Sequence, residues 1–186
     1  LDYAVLPQLA DMVDRAIFAR AEATEYDGNA SVASMGSGDT QTITAGQSGT
    51  VSTMNGGTQY VSSGGSGTVS TMSGGTQHVS SGGSITVGTM SGGEQWIYSG
   101  GNVTVGTMND GSILIVGGVG IVDRLSGEMI CEISVDSGGS VTVSNIDNYC
   151  QLFAYDGTFT ISTMSNGEQN IGSAGSGIVS TMSGGT

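Results

Sequence analysis

His78 is the only histidine in the chain, and Cys131 and Cys150 are the only cysteines. Catalysis needs an acid, a base or a nucleophile gathered in one place. No Ser-His-Asp arrangement can be assembled around His78 from local spacing. Two cysteines without a Cys-x-x-Cys pair or nearby histidines do not make a zinc site. Asp110, Asp123, Asp136, Asp147 and Asp156 are scattered, with no dense oxygen cage for calcium. Gly36-Ser37-Gly38-Asp39 is one partial echo of a calcium-binding repeat turn, and reads as an ordinary turn. No lysine is present, so no Walker-type phosphate loop exists. These residues predict a protein that is not an enzyme and holds no metal or cofactor.

Charge narrows the partners. The net charge is -13 and the pI is near 4.1, with Arg15, Arg20 and Arg124 as the only strong cations. Nucleic acid is excluded as a partner, because neutralising phosphates needs Lys and Arg. Docking to an anionic membrane is disfavoured for the same reason. No apolar run approaches the roughly 18 residues that span a bilayer.

The elements that carry these residues follow from a repeat. Met54, Met72, Met90 and Met108 recur every 18 residues, and Met164 and Met182 share that period. Leu125 and Ile146 take the Met place in degenerate copies, and Met35 opens an earlier one. A second apolar column reads Ile43, Val61, Val79, Ile97, Ile115, Phe153 and Ile171. A third reads Val51, Val69, Val87, Val105, Val122, Val143, Ile161 and Val179. Each unit holds two short β-branched segments, such as 58–62 and 68–71, punctuated by Gly-Gly pairs that mark turns. One unit cannot bury its apolar side alone. Stacking units at about 4.8 Å forms like-on-like ladders and a rod on the order of 40 Å long. The expectation is an all-β, parallel β-helix (a β-solenoid) of about 18 residues per rung over 31–186. The last unit opens at Met182, which predicts a piece of a longer array.

Residues 1–30 break the pattern. Leu6, Leu9, Val13, Ala16, Ile17 and Arg20 lie at helical spacing behind Pro7, which predicts a short capping α-helix over Pro7–Ala23. A solenoid end is an open sheet edge, and a helix would cover it.

Three side-chain sets follow from strand alternation. Gln59, Gln77, Gln95, Gln151 and Gln169 share a face with the Val/Ile column and predict an internal amide ladder, the alternative being an exposed row of ligand-binding amides. Tyr60, His78, Trp96 and Leu114, with Tyr98 and Val116 beside them, predict an external strip. Such a strip is either a binding surface or a ladder that steadies the sheet. Thr68, Thr86 and Thr104 form one hydroxyl ladder, and Thr53, Thr71, Thr89 and Thr107 another. Cys131 and Cys150 fall on consecutive rungs near one strand, within disulfide range. A disulfide, two buried free thiols and a reactive pair are the readings, and a disulfide would agree with an oxidising, extracellular setting.

The segment Gly56-Gly57-Thr58-Gln59-Tyr60-Val61-Ser62-Ser63-Gly64-Gly65-Ser66 resembles the imperfect repeats of self-associating autotransporter adhesins of the AIDA type. The resemblance covers about Met35 to Thr186. It implies a passenger exported through an outer-membrane β-barrel and displayed on the bacterial surface as a right-handed β-helix. It implies adhesion, aggregation or biofilm formation through contacts with other passengers, or with a host-cell surface or glycan. Heptose added by a cytoplasmic heptosyltransferase is also implied, and the matching positions are Ser62, Ser63, Ser66, Ser80, Ser81, Ser84 and Ser99. A passive glycosylated stalk, an ice- or crystal-binding solenoid and a polysaccharide-active β-helix are the alternatives. The last would need a cleft with clustered carboxylates, and Met54–Thr107 carries one charged residue, Glu94.

Overall fold

The structure is a computed structural model that describes residues 23–127, 131–147 and 150–186. The helix expected over Pro7–Ala23 lies, but for Ala23, outside the described residues. The described chain is all-β. Its strands are β1 (Glu25–Tyr26), β2 (Ser31–Met35), β3 (Thr40–Ile43), β4 (Ser48–Val61), β5 (Ser66–Val79), β6 (Ser84–Ile97), β7 (Asn102–Val116), β8 (Val119–Leu125), β9 (Cys131–Asp136), β10 (Ser140–Ile146), β11 (Gln151–Ala154), β12 (Thr158–Met164), β13 (Glu168–Ile171) and β14 (Ser176–Met182). Every pairing is parallel, and each coil bonds to the coils before and after it. The result is a β-solenoid of about eight coils. Coil pairing already begins at Glu25, which aligns with Thr40.

Each coil makes two straight runs joined by two corners. Glycine fixes the corners. Gly75 has φ 86°, and a Cβ there would sit 2.7 Å from the Gly56 carbonyl oxygen of the coil before. At the other corner Gly82 has φ 75°, and its N–H donates to the Gly100 carbonyl at 2.8 Å. Only glycine accepts this backbone conformation and this approach without strain.

The interior is built from ladders. Met35, Met54, Met72, Met90, Met108, Leu125, Ile146 and Met164 are stacked in register and fully buried. Val51, Val69, Val87, Val105, Val122, Val143 and Ile161 form a second stack. The column from Ile43 to Ile115 continues through Val135 and Ala154 to Ile171, so Phe153 is not a member. One extra residue between Ile146 and Ala154, against the spacing from Met108 to Ile115, puts Phe153 out of frame. On a strand that moves a side chain to the other face. A fourth inward column mixes glycines with large residues: Gly49, Gly67, Ile85, Val103, Gly120, Val141, Phe159 and Gly177. The Ile85 side chain fills the space over Gly67, where a Cβ would lie 3.2 Å away.

Between the apolar ladders runs a chain of buried amides. Gln41 Nε2 donates to the Asp27 and Ala30 carbonyls at 3.2 and 3.1 Å. Gln59 Nε2 donates to Gln41 Oε1 at 2.8 Å, Gln77 Nε2 to Gln59 Oε1 at 2.8 Å, and Gln95 Nε2 to Gln77 Oε1 at 2.6 Å. All four residues are buried. The next inward residues in the column are Ile113, Ile133 and Leu152, so Gln151 is not a rung. Among the described residues, Gln95 Oε1 is the buried side-chain atom left without a partner.

Asp39 closes the first described coil. Its carboxylate accepts from Gly36 N at 2.8 Å and from Thr24 N at 2.8 Å. The Gly36 amide bond, then the Thr24 amide bond, hold its carboxyl below the usual range, against a small opposing effect of desolvation. The segment Gly36–Asp39 is a turn, as its sequence predicts, with Asp39 N donating to Gly36 O at 3.2 Å.

Two expectations follow. Leu at position 59 strands Gln41 Oε1 and Gln77 Nε2, and each orphan costs about 1–3 kcal/mol. Leu at position 95 only moves the orphan acceptor back to Gln77 Oε1. Denaturant midpoints should therefore fall much further for Gln59→Leu than for Gln95→Leu, and equal losses would contradict a one-way ladder. A carboxyl with a lowered folded pKa stabilises fully above its unfolded value, near 4. That contribution is lost as pH falls through the folded value. The protection of the Gly36 amide, taken relative to its intrinsic exchange rate at each pH, should fall on acidification below about pH 4 in the native chain, and Asp39→Asn should remove that step.

Candidate functional site

The outer face of the 58–61 run carries the predicted strip. Thr42, Tyr60, His78, Trp96, Leu114, Ser134, Phe153 and Asn170 stand in one outward column. Their inward neighbours are the Gln ladder and the Val/Ile ladder, so strand alternation aims them at the outer face, where Ser134 is nevertheless covered, at 8% exposure. Tyr60 and His78 stack with centroids 5.1 Å apart and planes 10° apart. His78 lies 6.2 Å from Trp96 in a tilted contact and 6.2 Å from Tyr98 in a stacked one. The Tyr98 hydroxyl is 3.4 Å from His78 Nδ1. Tyr60, Trp96 and Tyr98 are exposed to 44%, 36% and 39%, while His78 and Leu114 are half-buried. The sequence-predicted residues are thus brought together over four consecutive coils.

Phe153 and Tyr155 extend the same face. Their rings stack 6.0 Å apart with planes 6° apart. Sequence reasoning placed Phe153 inside and passed over Tyr155. The signal available was the spacing, because Phe153-x-Tyr155 repeats Trp96-x-Tyr98.

Beside the strip runs a second outward column: Thr58, Thr76, Glu94, Ser112, Glu132, Gln151 and Glu168. Trp96 Nε1 donates to Glu94 Oε2 at 3.3 Å, and Ser134 Oγ donates to Glu132 Oε1 at 3.0 Å. Glu168 accepts from Gln151 Nε2 and from Asn170 Nδ2, each at 3.2 Å. Glu94, Trp96, Ser112, Leu114, Glu132 and Ser134 line a groove of about 210 Å³.

The 48–54 run presents a different face. Thr50, Thr68, Thr86 and Thr104 are in register, as are Thr53, Thr71, Thr89 and Thr107. Ser66 and Ser84 open their strands on this hydroxyl face and are exposed. Ser63, Ser80, Ser81 and Ser99 are exposed at the Gly64, Gly82 and Gly100 corner, and Ser62 beside them is half-buried. Charge enters the face at Asp123 and Arg124, and Arg124 is ion-paired with Asp147.

Cys131 and Cys150 are joined in a disulfide, with their Cα atoms 4.9 Å apart and both residues buried. Cys131 is aligned with Gly111, which has φ 103°. Cys150 precedes the aligned pair Gln151–Glu168, as Gly167 does, and Gly167 has φ 135°. The disulfide therefore occupies the corner column where other coils place a glycine.

No family model, curated protein or solved structure matches the chain.

A cross-link closing a loop of this size contributes about 2–4 kcal/mol. In a solenoid that loss stays local. Cys131→Ala/Cys150→Ala should lower amide-exchange protection in β9, β11 and β13, and leave β4 to β6 unchanged. A uniform loss along the rod would overturn this placement.

Proposed function

We propose that the chain is a right-handed β-helical passenger displayed on a bacterial surface, outside the cell, where it mediates adhesion or self-association and performs no catalysis. The observation that carries the reading is the cluster of solvent-facing rings at Tyr60, His78, Trp96 and Tyr98. Exposed aromatic groups gathered on one face mark interaction surfaces. The amide ladder beneath them holds that face rigid, so little conformational entropy is lost on contact. The repeat wording around Gly56–Ser66 supports the same reading, with another passenger or a host-cell surface glycan as the partner. Heptosylated serines at the 62–63, 80–81 and 99 corner would flank the strip without covering it.

The in-register threonines of the opposite face support a second reading, a surface that binds ice or another crystalline lattice. Thermal hysteresis in solutions of the purified chain separates it from the first.

The test of the main reading is sedimentation and intact mass of the chain produced with and without its modifying enzyme. Reversible self-association is the expected result, with added mass in heptose-sized steps when the enzyme is present. Tyr60→Ser/Trp96→Ser should weaken association about tenfold or more. A rod that stays monomeric in both forms, and binds neither cells nor glycans, overturns the reading.

A further inference from the structure

The groove beside Trp96 combines four kinds of surface. Trp96 and Leu114 supply an aromatic ring and an apolar wall, and Ser112 and Ser134 supply hydroxyls. Glu94 and Glu132 supply carboxylates two coils apart, with Ser112 between them in the column. Two coils span about 10 Å. The Trp96 N–H bond to Glu94 holds one carboxylate against the ring. A cation entering there meets a ring face and a negative oxygen together, and each contact strengthens where water is displaced.

Nothing in the described chain neutralises these two carboxylates. The chain has no lysine, and its net charge is -13. Arg124, the one arginine among the described residues, belongs to the Thr107 column and is paired with Asp147. Among the described residues, no cationic side chain is paired with Glu94 or Glu132.

We propose that this groove binds the protonated amino sugar of a linear cationic glycan. Successive amino sugars of one chain offer C–H groups to Trp96 and Leu114, hydroxyls to Ser112 and Ser134, and one ammonium to Glu94 and a second to Glu132. A linear polymer laid along the rod axis then continues over His78 and Tyr60, whose rings follow at 6.2 and 5.1 Å. Glu168 is a weaker candidate for the same role, because Gln151 and Asn170 already donate to it. The inference rests on the strip being a contact face and names its ligand.

Trp96 is the only tryptophan in the chain, so its fluorescence reports this groove alone. The purified chain is titrated with a fully deacetylated glucosamine oligosaccharide and with its fully N-acetylated counterpart. Saturable change with the first, and little with the second, is the expected result. Glu94→Gln/Glu132→Gln should weaken the deacetylated ligand about tenfold or more, and added salt should weaken it in the native chain. Both substitutions are on the outer surface, and unchanged far-UV circular dichroism confirms that the coils are intact. Equal binding of both sugars, no saturable change, full binding by the double variant, or equally tight binding of an oligolysine of matched charge would each overturn the proposal. Self-association is read by sedimentation without sugar, so failure here and failure of the adhesion reading are distinguishable.

Discussion

A carboxamide buried between two β-runs has one place to find its acceptor, which is the carboxamide one coil away. Gln59, Gln77 and Gln95 each donate to the preceding rung, and Gln41 ends the line on two backbone carbonyls. A slip of one residue between coils would turn these amides outward and bring Tyr60 or Trp96 into the interior. It would also break a buried bond at every rung. Apolar ladders alone tolerate small adjustments of packing, because dispersion contacts are not directional. The amide ladder is directional and admits one register.

The corners translate that register into a straight array. Glycines at Gly57, Gly75, Gly93 and Gly111 turn the backbone at one corner, and Gly46, Gly64, Gly82 and Gly100 turn it at the other, all with positive φ. With both corners repeated, each outward position recurs directly above its counterpart. The two outer faces can then differ in kind. One carries hydroxyls in register at Thr50, Thr68, Thr86 and Thr104, and the other carries rings and carboxylates. A conventional domain would need long-range folding to gather such groups. Here an 18-residue period gathers them by stacking alone.

The coils from Val119 to Ala154 depart from the pattern and compensate for it. Glycine is missing from the first corner, and the Cys131–Cys150 disulfide stands in that column. Ile113, Ile133 and Leu152 replace the amides, which ends the polar ladder at Gln95 and leaves its Oε1 unpaired. Over those three coils the column is apolar, Gln169 returns to it half-buried with its Nε2 on Met164 Sδ, and directional specificity passes to the covalent link.

The sequence by itself determined the parallel solenoid, its 18-residue coil, the Met and Val ladders and the outward position of Tyr60, His78, Trp96 and Leu114. Period and strand alternation are local properties, and they survive translation from one repeat to the next. It did not determine the register across 125–151. There the spacing slips, and Gln151 and Phe153 match their column types while the chain runs one residue out of frame. Only pairing with the neighbouring coils decided that Leu152 and Ala154 point inward and Phe153 points out beside Tyr155. The fourth column of glycines and large residues, with Ile85 filling the space over Gly67, was likewise decided between coils. The groove at Trp96 was too, because its walls come from three successive repeats and no single repeat contains them.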